Sequence, residues 1–115
     1  MLARRRLGVP CRCVMADEGP IRSEFADDPE MALLIREFVD SLPSRAQTIH
    51  AHLEAGAHDT ARTLAHQLKG AGGGYGFPQV TEAARAVDRS IRDRRLDDAR
   101  AAASALVKLA ARVMP

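Results

Sequence analysis

Residues 34–42 read LIREFVDSL, and their apolar side chains recur every three or four positions. This spacing places them on one face of an α-helix, which has 3.6 residues per turn. The preceding Asp28-Pro29-Glu30 is typical of a helix start, with Asp28 as N-cap and Pro29 in the first turn. Pro43 is expected to end or kink this helix, because proline lacks the backbone N–H that a helix interior uses.

Similar apolar spacing predicts further helical segments along the rest of the chain. They are Ser44 to Ala55, Asp59 to Gly76 with Asp59 as N-cap, a helix beginning at Pro78, and Asp97 to about Met114 with Asp97 as N-cap. No segment shows the alternation of a half-buried strand. Because short connections favour antiparallel neighbours, the sequence predicts an all-α fold. Its form is an up-and-down antiparallel four-helix bundle with an additional N-terminal helix.

The composition agrees with a helical fold. The 115 residues include 21 alanines and 11 leucines, which favour helices, but only three Phe, one Tyr and no Trp. The net charge is +2, and residues 1–14 contain four arginines and no acid. We expect residues 1–28 to be a flexible N-terminal segment and residues 29–115 to form one domain, since this length suits a single core.

Several classes of function are disfavoured. A nearly neutral body with few aromatic side chains lacks the basic stacking surface of nucleic-acid binders, and no apolar run reaches the roughly 18 residues of a membrane span. Cys11 and Cys13 have no second cysteine pair, and His50 and His52 would point in opposite directions on a helix. We therefore expect no metal site and no cofactor. Without a disulfide framework or signal peptide, the cytoplasm is the expected location.

Residues 66–76 read HQLKGAGGGYG and depart from good helix design. Each of the five glycines costs a helix interior about 1 kcal/mol relative to Ala, and such violations are expected at functional sites. A helical projection puts Leu64, Leu68 and Tyr75 roughly opposite His66. If these three side chains are buried, His66 faces solvent.

The same projection predicts a bare strip of backbone and a cation beside His66. Gly70 and Gly73 follow one and two turns after the histidine, and Lys69 lies on its other flank. A neutral imidazole offers one ring nitrogen as a nucleophile, and the Lys69 ammonium can offset phosphoryl charge. The strip would let a partner protein approach the ring closely. The pattern favours phosphoryl transfer at His66.

The run HQLKG at residues 66–70, with Gly76 ten positions after the histidine, resembles the H-x-L-K-G…G signature of histidine phosphotransfer domains. Residues 69–77 are similar to the phosphotransfer domain at the front of chemotaxis histidine kinases. The resemblance implies a four-helix bundle, phosphorylation on the ring nitrogen of His66 remote from the backbone, and receiver domains as partners. The triple glycine at residues 72–74 is richer than usual and suggests a softer end to this helix.

The resemblance also implies that an acid about 22 residues after the histidine orients the imidazole, and Asp88 has that position here. Arg85 and Arg92 are near helical neighbours of Asp88, so an ordinary salt bridge is an equally good interpretation.

The candidate site has a catalytic part and a part that docks the partner. The catalytic part comprises His66 as phosphoacceptor with Lys69, Gln67 and Asp88, and the receiver-docking part comprises Arg62, Gly70, Gly73 and Gly74.

The predicted function is that of a histidine-containing phosphotransfer protein in a two-component phosphorelay. It would be a phosphocarrier without kinase activity, which exchanges a phosphoryl group with receiver-domain aspartates. We expect a monomer whose partners are response-regulator receiver domains and a sensor histidine kinase. Two alternatives stay open: the phosphoacceptor module of a larger histidine kinase, and a helical adaptor that binds receiver domains without using the histidine.

Overall fold

The computed structural model describes residues 19–115, and the predictions for residues 1–14, including Cys11 and Cys13, lie outside this part of the chain. Four α-helices and two short strands make up the described residues. In chain order they are β1 (Ile21–Arg22), α1 (Ala32–Glu54), α2 (His58–Gly74), α3 (Pro78–Arg92), α4 (Leu96–Ala110) and β2 (Val113–Met114).

The four helices enclose one hydrophobic core. Each helix packs against its neighbours in sequence, and α1 also packs against α4. The large, fully buried side chains come from all four helices and from the α2–α3 connection: Ile35, Leu42, Ile49, Leu53, Leu68, Phe77, Val80, Val87 and Leu106. The all-α prediction is therefore confirmed. None of the helices within residues 19–115 is long and apolar enough to cross a membrane.

One long helix replaces the two segments expected on either side of Pro43. α1 runs without interruption through the proline, which is exposed. An internal proline costs a helix about 3 kcal/mol, whereas each large apolar side chain that is buried contributes about 1.5–3 kcal/mol. Ile49 and Leu53 are buried on the same side of α1 as Phe38 and Leu42, so their packing outweighs the cost of the proline. The additional N-terminal helix is not found among the described residues.

The helices begin close to the predicted aspartates but not at them. Asp28 Oδ1 accepts a hydrogen bond at 2.9 Å from the N–H two residues later, and α1 begins a further two residues on. α2 begins at His58 and α4 at Leu96, so that Asp59 and Asp97 lie inside the first turns. A carboxylate in the first turn still favours a helix through the helix dipole. The N-caps of α1, α2 and α4 are therefore displaced by two or three residues from the predicted aspartates.

The three connections between helices share one conformation. Each spans three residues, and the middle residues Gly56, Gly76 and Arg94 have φ angles of 83°, 82° and 61°. In each connection, the N–H of the following residue donates to a carbonyl five residues earlier at 2.8–2.9 Å. This is the Schellman arrangement, which closes a helix with a residue in the left-handed region.

The lead-in and the end of the chain form a short parallel pair of strands, although no strand was predicted. Ile21 pairs with Val113 and Arg22 with Met114, while α4 ends at Ala110 rather than near Met114. Both Ile21 and Val113 are buried. The stretch that begins at Ile21, predicted as part of a flexible segment, thus packs on the bundle. The domain boundary at residue 29 stays a prediction.

Candidate functional site

α2 turns His66 toward solvent, with 69% of its side chain exposed. Leu64 and Tyr75, predicted on the buried side of this helix, are only half-buried. The buried side of α2 is rotated about the helix axis by about 50° from the predicted one, which is half the angle between successive residues. This rotation moves His66 toward α3 instead of directly away from the core. Four residues form the buried side: Ala61, Ala65, Leu68 and Gly72.

Asp88 on α3 faces three side chains of α2, although its own side chain is only 8% exposed. Arg62 Nε donates a hydrogen bond to Asp88 Oδ1 at 3.0 Å. The other oxygen, Oδ2, lies 3.6 Å from His66 Nδ1 and 3.7 Å from Lys69 Nζ. These two separations exceed a hydrogen bond and are electrostatic contacts. Residues three and four apart lie on one side of a helix, which explains why all three partners reach one carboxylate.

Neither of the salt bridges considered for Asp88 within its own helix forms. Arg85 pairs with Glu82 at 2.7 Å, and Arg92 lies 3.9 Å from Asp93. Asp88 instead points across the α2–α3 contact, where burial removes it from solvent. The geometry favours Asp88 as the partner of the imidazole.

The surroundings of Asp88 keep its carboxyl ionised. Burial raises the pKa of Asp88, but the hydrogen bond and charge of Arg62, the facing imidazole of His66 and the ammonium of Lys69 together lower it below the ordinary value of 3.8. A charged carboxylate favours a proton on the ring nitrogen that faces it, which is Nδ1 of His66. Nε2 then keeps its lone pair.

Thr81 of α3 was not predicted as part of the site, yet it fixes the second half of α2. Its Oγ1 donates a hydrogen bond at 3.0 Å to the backbone carbonyl of Lys69. A Cβ at Gly72 would lie 2.9 Å from this oxygen and 3.1 Å from the Thr81 backbone nitrogen. The Val80 side chain lies at the same contact, 3.2 Å from the position of that Cβ.

The other predicted positions form the exposed surroundings of His66. A Cβ at Gly70 or Gly74 would meet no atom within 4 Å, and one at Gly73 would meet a single hydroxyl oxygen of α3 at 3.6 Å. Gln67 is exposed and lines, with His66, an open cleft of about 510 Å³. The backbone beside the imidazole is therefore bare, as the projection predicts.

The structure thus divides the predicted site residues into two groups. Arg62, His66 and Lys69 meet at Asp88, whereas Gln67, Gly70 and Gly74 have no contact with that carboxylate. Within residues 19–115, no group of three His, Cys, Asp or Glu side chains is placed to hold a metal ion.

A helical bundle that presents a histidine on one helix, beside a lysine and a buried carboxylate, has the arrangement that the resemblance to phosphotransfer domains implies. Comparison with family models gives the same class: the model described as the Hpt domain matches residues 33–114, most of the chain. The chain belongs to the Hpt domain family and is a phosphocarrier module of two-component signalling. Searches of the curated proteins and of the solved structures give no match.

Proposed function

We propose that this protein is a phosphorelay intermediate, which receives a phosphoryl group on His66 from one receiver-domain aspartate and passes it to another. The observation that carries the proposal is the environment of the imidazole. His66 is 69% exposed, and its Nδ1 faces the buried carboxylate of Asp88, so Nε2 is the nitrogen left for an incoming phosphoryl group. The family membership supports receiver domains as partners.

In the proposed step, the lone pair of His66 Nε2 attacks the phosphorus of a phosphorylated aspartate. A nitrogen–phosphorus bond forms while the phosphorus–oxygen bond breaks, and the bonding electrons leave on the aspartate oxygen. The ring keeps its Nδ1 proton and becomes cationic, and the Asp88 carboxylate stabilises this charge. The ammonium of Lys69, near the same carboxylate, offsets charge on the phosphoryl oxygens. The reverse step delivers the group to a second receiver.

The proposal includes the topology of the helices, the oligomeric state and the location of the domain. Three-residue connections between helices support an up-and-down antiparallel course of the four helices. The exposed surface beside His66 is polar or bare backbone, which suits a transient contact with a partner. We propose that the domain acts as a monomer, which meets its receivers one at a time, and the cytoplasm stays its expected location.

The proposal is tested by incubating the protein with a phosphorylated receiver and following the label that it acquires. Label that is labile in acid and stable in base identifies phosphohistidine. We expect wild-type protein to be labelled and His66→Gln to acquire none. His58→Gln is the matched control, because His58 lies at the start of the same helix and is not one of the side chains that face Asp88. It should be labelled like wild type.

Undiminished label on His66→Gln would overturn the assignment of the phosphoacceptor. A wild-type protein that binds the receiver but acquires no label from it or from a sensor kinase would instead identify an adaptor. Labelling by a kinase alone would favour a kinase-linked module.

A further inference from the structure

We propose that Arg62 is a positioning residue, which holds the Asp88 carboxylate so that its second oxygen faces His66 Nδ1. This inference rests on the proposed function, because it explains which ring nitrogen of His66 is free to accept the phosphoryl group. It gives Arg62 a role different from the receiver docking expected from the sequence.

Asp88 has one hydrogen bond and two longer electrostatic contacts with side chains of α2. Arg62 Nε lies 3.0 Å from Oδ1, within hydrogen-bond distance. His66 and Lys69 lie 3.6 Å and 3.7 Å from Oδ2, beyond that distance. A carboxylate rotates about its last side-chain bond, and a hydrogen bond to one oxygen fixes the direction of the other. Arg62 therefore sets where Oδ2 points.

The position of Arg62 on α2 fits this role. It precedes His66 by four residues, so the two side chains leave the helix on neighbouring parts of the same side. Lys69 follows His66 by three residues and approaches Asp88 from the opposite end. The carboxylate is thus held between two cations with the imidazole in the middle. Without Arg62, no hydrogen bond would hold Oδ1, and the carboxylate would rotate about its last side-chain bond.

The consequence of this arrangement is the choice of imidazole tautomer. A carboxylate oxygen directed at Nδ1 favours the tautomer with its proton on Nδ1 and the lone pair on Nε2. If the carboxylate is no longer fixed, the two tautomers approach the mixture of a free imidazole. Only the first can attack phosphorus from the exposed side of the ring. Loss of the anchor should therefore slow the chemical step even when the receiver is bound.

The test compares Arg62→Met, which keeps the aliphatic stem but removes the charge and the donors, with Arg62→Lys, which keeps a charge and a donor. Arg92→Met is the matched control, because the Arg92 side chain is about as exposed as that of Arg62, lines a cleft with it, and pairs with Asp93 instead of Asp88. Nitrogen NMR of the unphosphorylated proteins in mildly alkaline buffer reports the His66 tautomer. Transfer from a phosphorylated receiver is measured over a range of receiver concentrations, and circular dichroism checks folding.

We expect the Nδ1–H tautomer in wild type, Arg62→Lys and Arg92→Met, and a mixture in Arg62→Met. The transfer rate of Arg62→Met at saturating receiver should fall about two- to fivefold, which corresponds to about 0.4–1 kcal/mol of barrier. An unchanged tautomer in folded Arg62→Met would overturn the inference. So would an unchanged saturating rate with a higher half-saturating receiver concentration, which is the result expected of a docking residue. The NMR readout needs no phosphorylation, so it tests the inference even if His66 proves not to accept phosphate.

Discussion

Gly70 and Gly72 lie two positions apart on α2, but Gly70 faces open space and Gly72 faces the neighbouring helix. A Cβ at Gly70 would project into open space on the His66 side, whereas one at Gly72 would press on Thr81 of the neighbouring helix. The same residue type therefore serves two purposes within one turn. At Gly72 the missing side chain lets two helices approach. At Gly70 we propose that it leaves the imidazole uncovered for a partner protein.

These surroundings predict opposite effects of alanine at the two positions. Gly70→Ala should stabilise the protein by up to about 1 kcal/mol, because alanine restricts the unfolded chain and favours the helix. Gly72→Ala should destabilise it by about 1–3 kcal/mol, because the contact with the Thr81 backbone cannot relax by a side-chain rotation. Urea unfolding of both variants measures the two signs. A loss of stability in Gly70→Ala would show that this position is covered.

A larger side chain at Gly70 tests its place beside the histidine. We expect Gly70→Gln to fold like wild type and to lose at least about tenfold in the rate of phosphotransfer, because the added side chain stands between His66 and an incoming receiver. A time course of phosphotransfer measures the rate, and thermal unfolding measures the stability. A wild-type rate would contradict the idea that the strip is a docking surface.

The helices themselves were predictable from the sequence, because burial at a spacing of 3.6 residues is a local property of the chain. The course of α1 through Pro43 was not, since it depends on the packing of Ile49 and Leu53 against other helices. The ends of α1 and α2 lie within two residues of their predicted ends at Ala55 and Gly76. Each of the three connections closes with a Schellman motif, and the left-handed Arg94 in the last one has no sequence signal.

The candidate site was predictable to a similar extent. His66, Lys69 and the bare glycine strip follow from their positions on one helix. The partner of Asp88 could not be predicted, because a salt bridge with an arginine of its own helix was as consistent with the sequence as a contact with His66. The choice depends on how α2 is rotated against α3, and Ala65 and Gly72 set that rotation by lying buried at the contact.

The three connections make a prediction about backbone strain. Arg94 has the φ angle that Gly56 and Gly76 have in the other two connections, and a side chain in this region costs about 1–2 kcal/mol. Arg94→Gly should therefore raise the free energy of unfolding by up to about 1 kcal/mol, after the added freedom of the unfolded chain is subtracted.

The matched control for this prediction is Gly56→Ala, since a Cβ there would meet no atom within 4 Å and only the backbone conformation is at issue. It should lose about 1 kcal/mol or more. Thermal unfolding of the two variants measures both effects. An Arg94→Gly protein less stable than wild type would mean that contacts of the arginine side chain outweigh the strain.

At the scale of the whole molecule, the segment before α1 closes one end of the bundle. Ile21 is buried in the pairing with Val113, and the hydroxyl of Ser23 donates to the carbonyl of Tyr75 at 2.6 Å. Glu24 N–H donates to the carbonyl of Gly76 at 2.8 Å. Residues 21–24 therefore contact both β2 and the end of α2.

This contact predicts where the chain can be shortened. A chain that starts at Met15 should match the full chain in thermal midpoint and in transfer rate. A chain without residues 1–28 should melt at least about 5 °C lower, because burial of a side chain such as Ile21 contributes about 1.5–3 kcal/mol and each kcal/mol is worth several degrees in a domain of this size. Calorimetry of the two chains decides. Equal midpoints would show that the strand pair adds nothing to stability.

The pairing of Ile21 with Val113 also brings the segment before α1 and the segment after α4 side by side, next to the end of α2. From there, His66 is about 12 Å back along the helix axis, at 1.5 Å per residue. A receiver domain tethered to this bundle before β1 or after β2 would start from nearly the same point, with nearly the same linker length to reach the imidazole. Its effective concentration at His66 would then depend on the linker and hardly on which side of the domain carries it. On the proposed function, we expect fusions with linkers of equal length before β1 and after β2 to transfer the phosphoryl group at similar rates.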